Sequence, residues 1–121
     1  MKSTAQHVAV MVTAPNLRTA RKLAGAVLDA RLVACANFIP GIESHYVWKG
    51  KRERTREILL MMKTTRARLR ALEALVIALH PYDTPEFVTV ALAAGNARYL
   101  KWITDAVTER DGIRMNSKTG H

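Results

Sequence analysis

The sequence predicts an α+β fold in which two helices pack on one face of a four-stranded antiparallel sheet. Three observations predict it. The spacing of apolar residues switches between the period of a strand and that of a helix in the order strand, helix, strand, strand, helix, strand, helix. The 121 residues, 49% of them hydrophobic, are the size of one ordinary domain with a real core. Between the two middle strands, Lys49-Gly50-Lys51 reads as a hairpin turn, because Gly50 supplies the permissive dihedrals.

The first strand is HVAVMVTA, where Val8, Val10 and Val12 alternate with smaller or polar neighbours. Helical spacing follows in PNLRTARKLAGAVLDARL, with Leu17, Ala20, Leu23, Ala24, Val27 and Leu28 on one face and Asn16 able to cap. A second strand begins in LVACANFIP, breaks at Pro40-Gly41 and resumes as IESHYVW. REILLMMKT returns beside it. From Thr65 the period is helical again through Leu69, Leu72, Leu75, Val76 and Leu79, and it must stop near His80 because Pro81 disfavours helical geometry at the residue before it. EFVTVAL is the last strand, Gly95-Asn96 punctuates, and Tyr99, Leu100, Ile103 and Val107 lie along a final helix. Residues 1–109 form one domain, and the stretch 110–121 has no period and is expected to be a disordered tail.

This order is the split βαβ, or ferredoxin-like, arrangement βαββαβ with an added C-terminal helix. Ile58, Leu59, Leu60, Met61 and Met62 make the third strand apolar on both faces, which is costly where one face meets water. The economical cover for the second face is another copy of the chain, so the sequence argues for a homo-oligomer.

Composition narrows the function. Nineteen Lys and Arg against ten acidic residues give a formal charge of +9, a bias toward polyanions. Only 6% of the residues are aromatic and no nucleic-acid-binding motif appears, so no specific nucleic-acid partner is expected. No apolar run is long enough to span a membrane and MKSTAQHVAV lacks a signal-peptide core, which predicts a cytoplasmic protein with no membrane partner. One cysteine, Cys35, cannot form an internal disulfide. There is no nucleophile-base-acid spacing, phosphate loop or H-E-x-x-H motif, so no enzyme and no organic cofactor are expected.

Five stretches, TAPN, RLVACANFIPGIESHYVWKGK, EILLMMKTT, ALHPYDTPEFV and GNARYLKWI, stand in an order and spacing that resemble the CutA family of divalent-cation tolerance proteins. The resemblance runs from about Val8 to Val107. It implies a homotrimer similar to the PII signal-transduction proteins, a role in the response to metal ions, and an inter-subunit cleft at Cys35, Tyr46, Trp48, Glu57, Lys63, His80, Tyr82, Glu86 and Trp102. Some relatives bind copper through a cysteine in the first strand and a pair of histidines; Val12 and Leu79 hold two of those places here. Weak binding of Cu2+ or another divalent metal is therefore expected, with His80, Cys35 and Glu86 as candidate ligands.

The residues also admit plainer roles. His80 at a helix end suits the helix dipole and its last carbonyls. Asp83-Thr84-Pro85 reads as a turn, with Tyr82 packing beside it. Glu57 is either a solvated edge charge or the buried partner of a basic residue across an interface. Tyr46 and Trp48 share a strand face and suit packing. Met61 and Met62 point to opposite faces and cannot chelate together. The basic hairpin WKGKRERTR supports a rival reading, a PII-like sensor or scaffold whose cleft holds an anionic small molecule or a partner protein.

Overall fold

The computed structural model describes residues 2–3 and 6–108. Four strands, β2 (His7–Ala14), β3 (Cys35–Trp48), β4 (Lys51–Thr65) and β5 (Val88–Ala91), form an antiparallel sheet in the order β3-β4-β2-β5. Helices α1 (Leu17–Asp29) and α2 (Leu69–Leu79) are inserted as the split βαβ order requires, and α3 (Ala97–Val107) follows. A short pair, β1 (Lys2–Ser3) with β6 (Ala94–Gly95), was not legible in the sequence. The expected tail at 110–121 lies outside the described residues.

Register decides which side chains meet. Val10 lies opposite Met62, Val12 opposite Leu60 and Ala14 opposite Ile58, so this set shares one face and joins Ala20, Leu23, Ala24 and Val27 of α1 and Leu72 and Val76 of α2 in the core. Asn16 caps α1, accepting from the Thr19 amide at 2.8 Å. The second helix starts later than expected: Arg66–Arg68 form a 3-10 turn before α2.

The expected break at Pro40-Gly41 is instead a bulge. β3 runs unbroken through it, the register shifting between Ile39 and Ile42, with Gly41 at φ 73°. A bulge accommodates a proline that cannot donate to the ladder. At the hairpin tip both Lys49 (φ 52°) and Gly50 (φ 78°) are left-handed, the pattern of a type I′ turn matched to strand twist. Gly50→Ala is expected to cost about 1 kcal/mol in a urea titration, because alanine is strained at positive φ.

The other sheet face is not left wholly open. His7 donates from Nε2 to the Leu100 carbonyl at 3.0 Å and lies 2.8 Å from Thr104 Oγ1. Cys35 Sγ is 3.7 Å from the Tyr99 hydroxyl. Leu100, Ile103 and Val107 are buried. The final helix therefore covers the end of this face that carries His7 and Cys35, whereas Ile39, Val88 and Val90 remain 44–47% exposed.

Candidate functional site

At the opposite end of the sheet, three segments enclose a groove of about 580 Å³. β2 ends there at Thr13, the β3–β4 hairpin contributes Ser44, His45, Tyr46, Trp48, Glu53 and Glu57, and the loop after α2 adds Tyr82, Asp83, Thr84 and Glu86. Strand alternation puts Glu53 and Glu57 on one face of β4, and Tyr46 pairs across from Glu53. Four carboxylates thus line one groove in a chain of net charge +9.

Glu57 is only 7% exposed. One oxygen accepts from the Tyr82 hydroxyl at 2.7 Å, and among the described residues no ion pair supplies it with a cation. A buried carboxylate without a counter-charge is costly, and the phenol offsets part of that cost. Burial, then the hydrogen bond to Glu57, then the Glu57 charge push the Tyr82 phenol well above its usual range. Glu86 is pushed up by partial desolvation and then by the Glu57 charge.

The sign of the Glu86 effect follows. A carboxyl raised on folding binds its proton more tightly in the native state, so its contribution to stability is present below the unfolded value near 4.5 and is lost as pH rises through the folded value. Glu57→Gln removes the second cause and is expected to lower the Glu86 titration midpoint, as followed by carboxyl carbon NMR. Tyr82→Phe leaves the buried carboxylate unsolvated and is expected to cost about 1–3 kcal/mol by thermal unfolding.

His80 stands behind the groove, 8% exposed. Its Nε2–H donates to the Thr13 carbonyl at 2.7 Å, its Nδ1 accepts from the Tyr82 amide at 3.1 Å, and its ring lies 4.7 Å from that of Tyr82. This bonding fixes the Nε2–H tautomer and occupies both ring nitrogens. The helix-dipole reading is corrected accordingly: the ring bonds β2 rather than the last carbonyls of α2, and it fastens the loop to the sheet.

Tyr46, Trp48, Glu57, Tyr82 and Glu86 therefore come together, with His80 as their support. Cys35, Lys63 and Trp102 do not join them. Cys35 pairs with Lys63, six residues along β4 from Glu57 and so about 20 Å away. The Lys63 ammonium donates to Asn37, and Trp102 stacks on Tyr99 with centroids 5.6 Å apart. Burial and the contact with Cys35 push the Tyr99 phenol up to about 12. Cys35 thus cannot share an ion with His80 or Glu86 of its own chain. Among the described residues no group of three or more His, Cys, Asp or Glu is placed to hold one metal ion. Val12 is fully buried in the core and Leu79 packs against it, so neither of those places faces the groove.

Sequence reasoning missed Glu53, whose basic neighbours hid it, and took Asp83 and Thr84 as turn residues only. The alternation Glu53-Thr55-Glu57 was the available signal. Fold and groove define a class: a small α+β protein of the split βαβ type, with an acidic, aromatic-lined groove at one end of its sheet.

The chain belongs to the CutA1 divalent ion tolerance protein family, whose model matches residues 8–106. It is 40% identical over 107 residues to the chloroplastic Protein CutA 1 of rice, a match that covers 88% of this chain but 60% of that longer protein. The crystal structure of CutA1 from Oryza sativa superposes with a TM-score of 0.83 at 40% identity, covering 88% of this chain and 98% of that one. The divalent cation tolerance protein of Thermus thermophilus gives 0.82 at 39% identity, covering 84% and 99%. Among the described residues, no helix is long and apolar enough to cross a membrane.

Proposed function

We propose that this protein acts, without catalysis, in the tolerance of divalent metal ions, holding a cation weakly between Glu57 and Glu86 in a groove that neighbouring copies of a homotrimer complete. The names of its relatives support the first part. The observation that carries the second is the buried Glu57 carboxylate, which has no cationic partner among the described residues and whose charge raises Glu86. A cation between the two relieves that repulsion. Two protein oxygens with water suit a labile divalent ion, and the neighbouring copy can add ligands. The exposed Ile39, Val88 and Val90 support self-association through the outer face. The rival reading, an anionic molecule in the cleft, gains little from a groove lined by four carboxylates.

Calorimetric titration of Cu2+ and Zn2+ at pH 7 tests this. Glu57→Gln is expected to weaken binding tenfold or more, and Cys35→Ser to leave it unchanged. Affinity should fall as pH drops through the raised Glu86 titration, since protons compete for the same oxygens. Unchanged affinity in Glu57→Gln, with loss in His80→Asn, would move the site to the imidazole.

A further inference from the structure

The distal half of the β3–β4 hairpin carries a second surface, which meets the groove at His45. β2 pairs with β4 only from Ile58 onward, so among the described residues Glu43–Trp48 and Lys51–Arg56 pair only with each other and leave the sheet as a two-stranded ribbon. Register sets Arg52, Arg54 and Arg56 opposite Val47, His45 and Glu43. These six share the ribbon face turned away from Tyr46 and Glu53. All three arginines are exposed. The one carboxylate on that face, Glu43, is taken by His45 at 2.5 Å, and among the described residues no ion pair involves the arginines.

We propose that this ribbon face binds the phosphate backbone of a double-stranded nucleic acid without reading its sequence. Four residues separate Arg52 from Arg56, about 13 Å of strand, and one strand of a duplex rises about 3.4 Å per phosphate. The three guanidiniums, spread over that length, can each meet one phosphate. A guanidinium fork matches phosphate oxygens in pairs, and among the described residues these guanidiniums have no ion pair to give up. Val47, His45 and Glu43 offer no phenyl, phenol or indole ring on this face, so base stacking, the main attraction for single strands, is lacking. The charge of +9 steers the encounter. The cation reading of the groove rests on Glu57 and Glu86 and does not involve these arginines.

The test is fluorescence anisotropy of a labelled 20-base-pair DNA duplex with the full chain, from low to physiological salt. Arg52→Gln/Arg54→Gln/Arg56→Gln is compared with Arg18→Gln/Arg21→Gln/Lys22→Gln, which removes the same charge from the exposed face of α1. Sedimentation first checks that both variants assemble as the parent does. The ribbon variant is expected to bind at least 30-fold more weakly and to flatten the log-affinity against log-salt slope by about 2.7, since each phosphate contact contributes about 0.9. The helix variant should change less than threefold. Equal losses in the two variants would reduce the effect to overall charge and overturn the proposal. So would no loss in the ribbon variant, tighter binding to single-stranded oligothymidine or to anionic lipid vesicles than to duplex, or strong discrimination between duplex sequences.

Discussion

Leu60→Lys is expected to yield no folded protein at 25 °C. Leu60 has no exposed surface and sits mid-strand between Val12 and Phe38 in register, with Val10, Met62 and the two inner helices around it. An ammonium there meets no carboxylate, and a buried unpaired charge costs several kcal/mol against a total stability of about 5–15 kcal/mol for a domain. Leu60→Ala keeps the measurement possible. It removes the side chain and leaves a cavity, so a loss of about 2–5 kcal/mol is expected in urea unfolding. A loss below about 1 kcal/mol would mean that the core is not packed around this strand.

The second large effect concerns assembly. The natural chain is expected to sediment at three times its 13.5 kDa mass, and Val88→Lys with Val90→Lys to sediment as single chains. Both valines are on β5, opposite Met11 and Ala9, on the sheet face that α3 leaves partly uncovered. A lysine at a half-exposed position can reach water in the isolated subunit but not in a closed apolar interface, so the change should cost assembly and spare the fold. Circular dichroism should therefore stay native while the mass falls. A trimer that survives both lysines would place the contact elsewhere.

Much of the fold was legible because its rules are local. Val8, Val10 and Val12 announce a strand by period, Asn16 announces a cap, and Lys49-Gly50 announces a turn. The bulge at Pro40-Gly41 looked like a break, since a proline and a glycine in sequence cannot say whether a partner strand will absorb one extra residue. The cover that α3 gives the second face was also hidden. It depends on His7 meeting Leu100 and Thr104 across more than ninety residues.

The site was legible in part. Its family positions Tyr46, Trp48, Glu57, Tyr82 and Glu86 do converge. Within one chain Cys35 stands apart from them, because antiparallel pairing carries it to the far end of β4. The role of His80 was the hardest to see. A histidine before a proline can bond its own helix or another strand, and only the folded chain brings it to the Thr13 carbonyl and the Tyr82 amide.

The most direct test of the cation site is to watch its carboxyls during loading. In a protein carrying carbon-13 at its glutamate side chains and nitrogen-15 at its histidines, titration with diamagnetic Zn2+ should shift the Glu57 and Glu86 carboxyl signals together and saturably, with the His80 ring nitrogens keeping the Nε2–H pattern. Shifts centred on the His80 nitrogens, or carboxyl signals that do not move at saturating metal, would contradict the account.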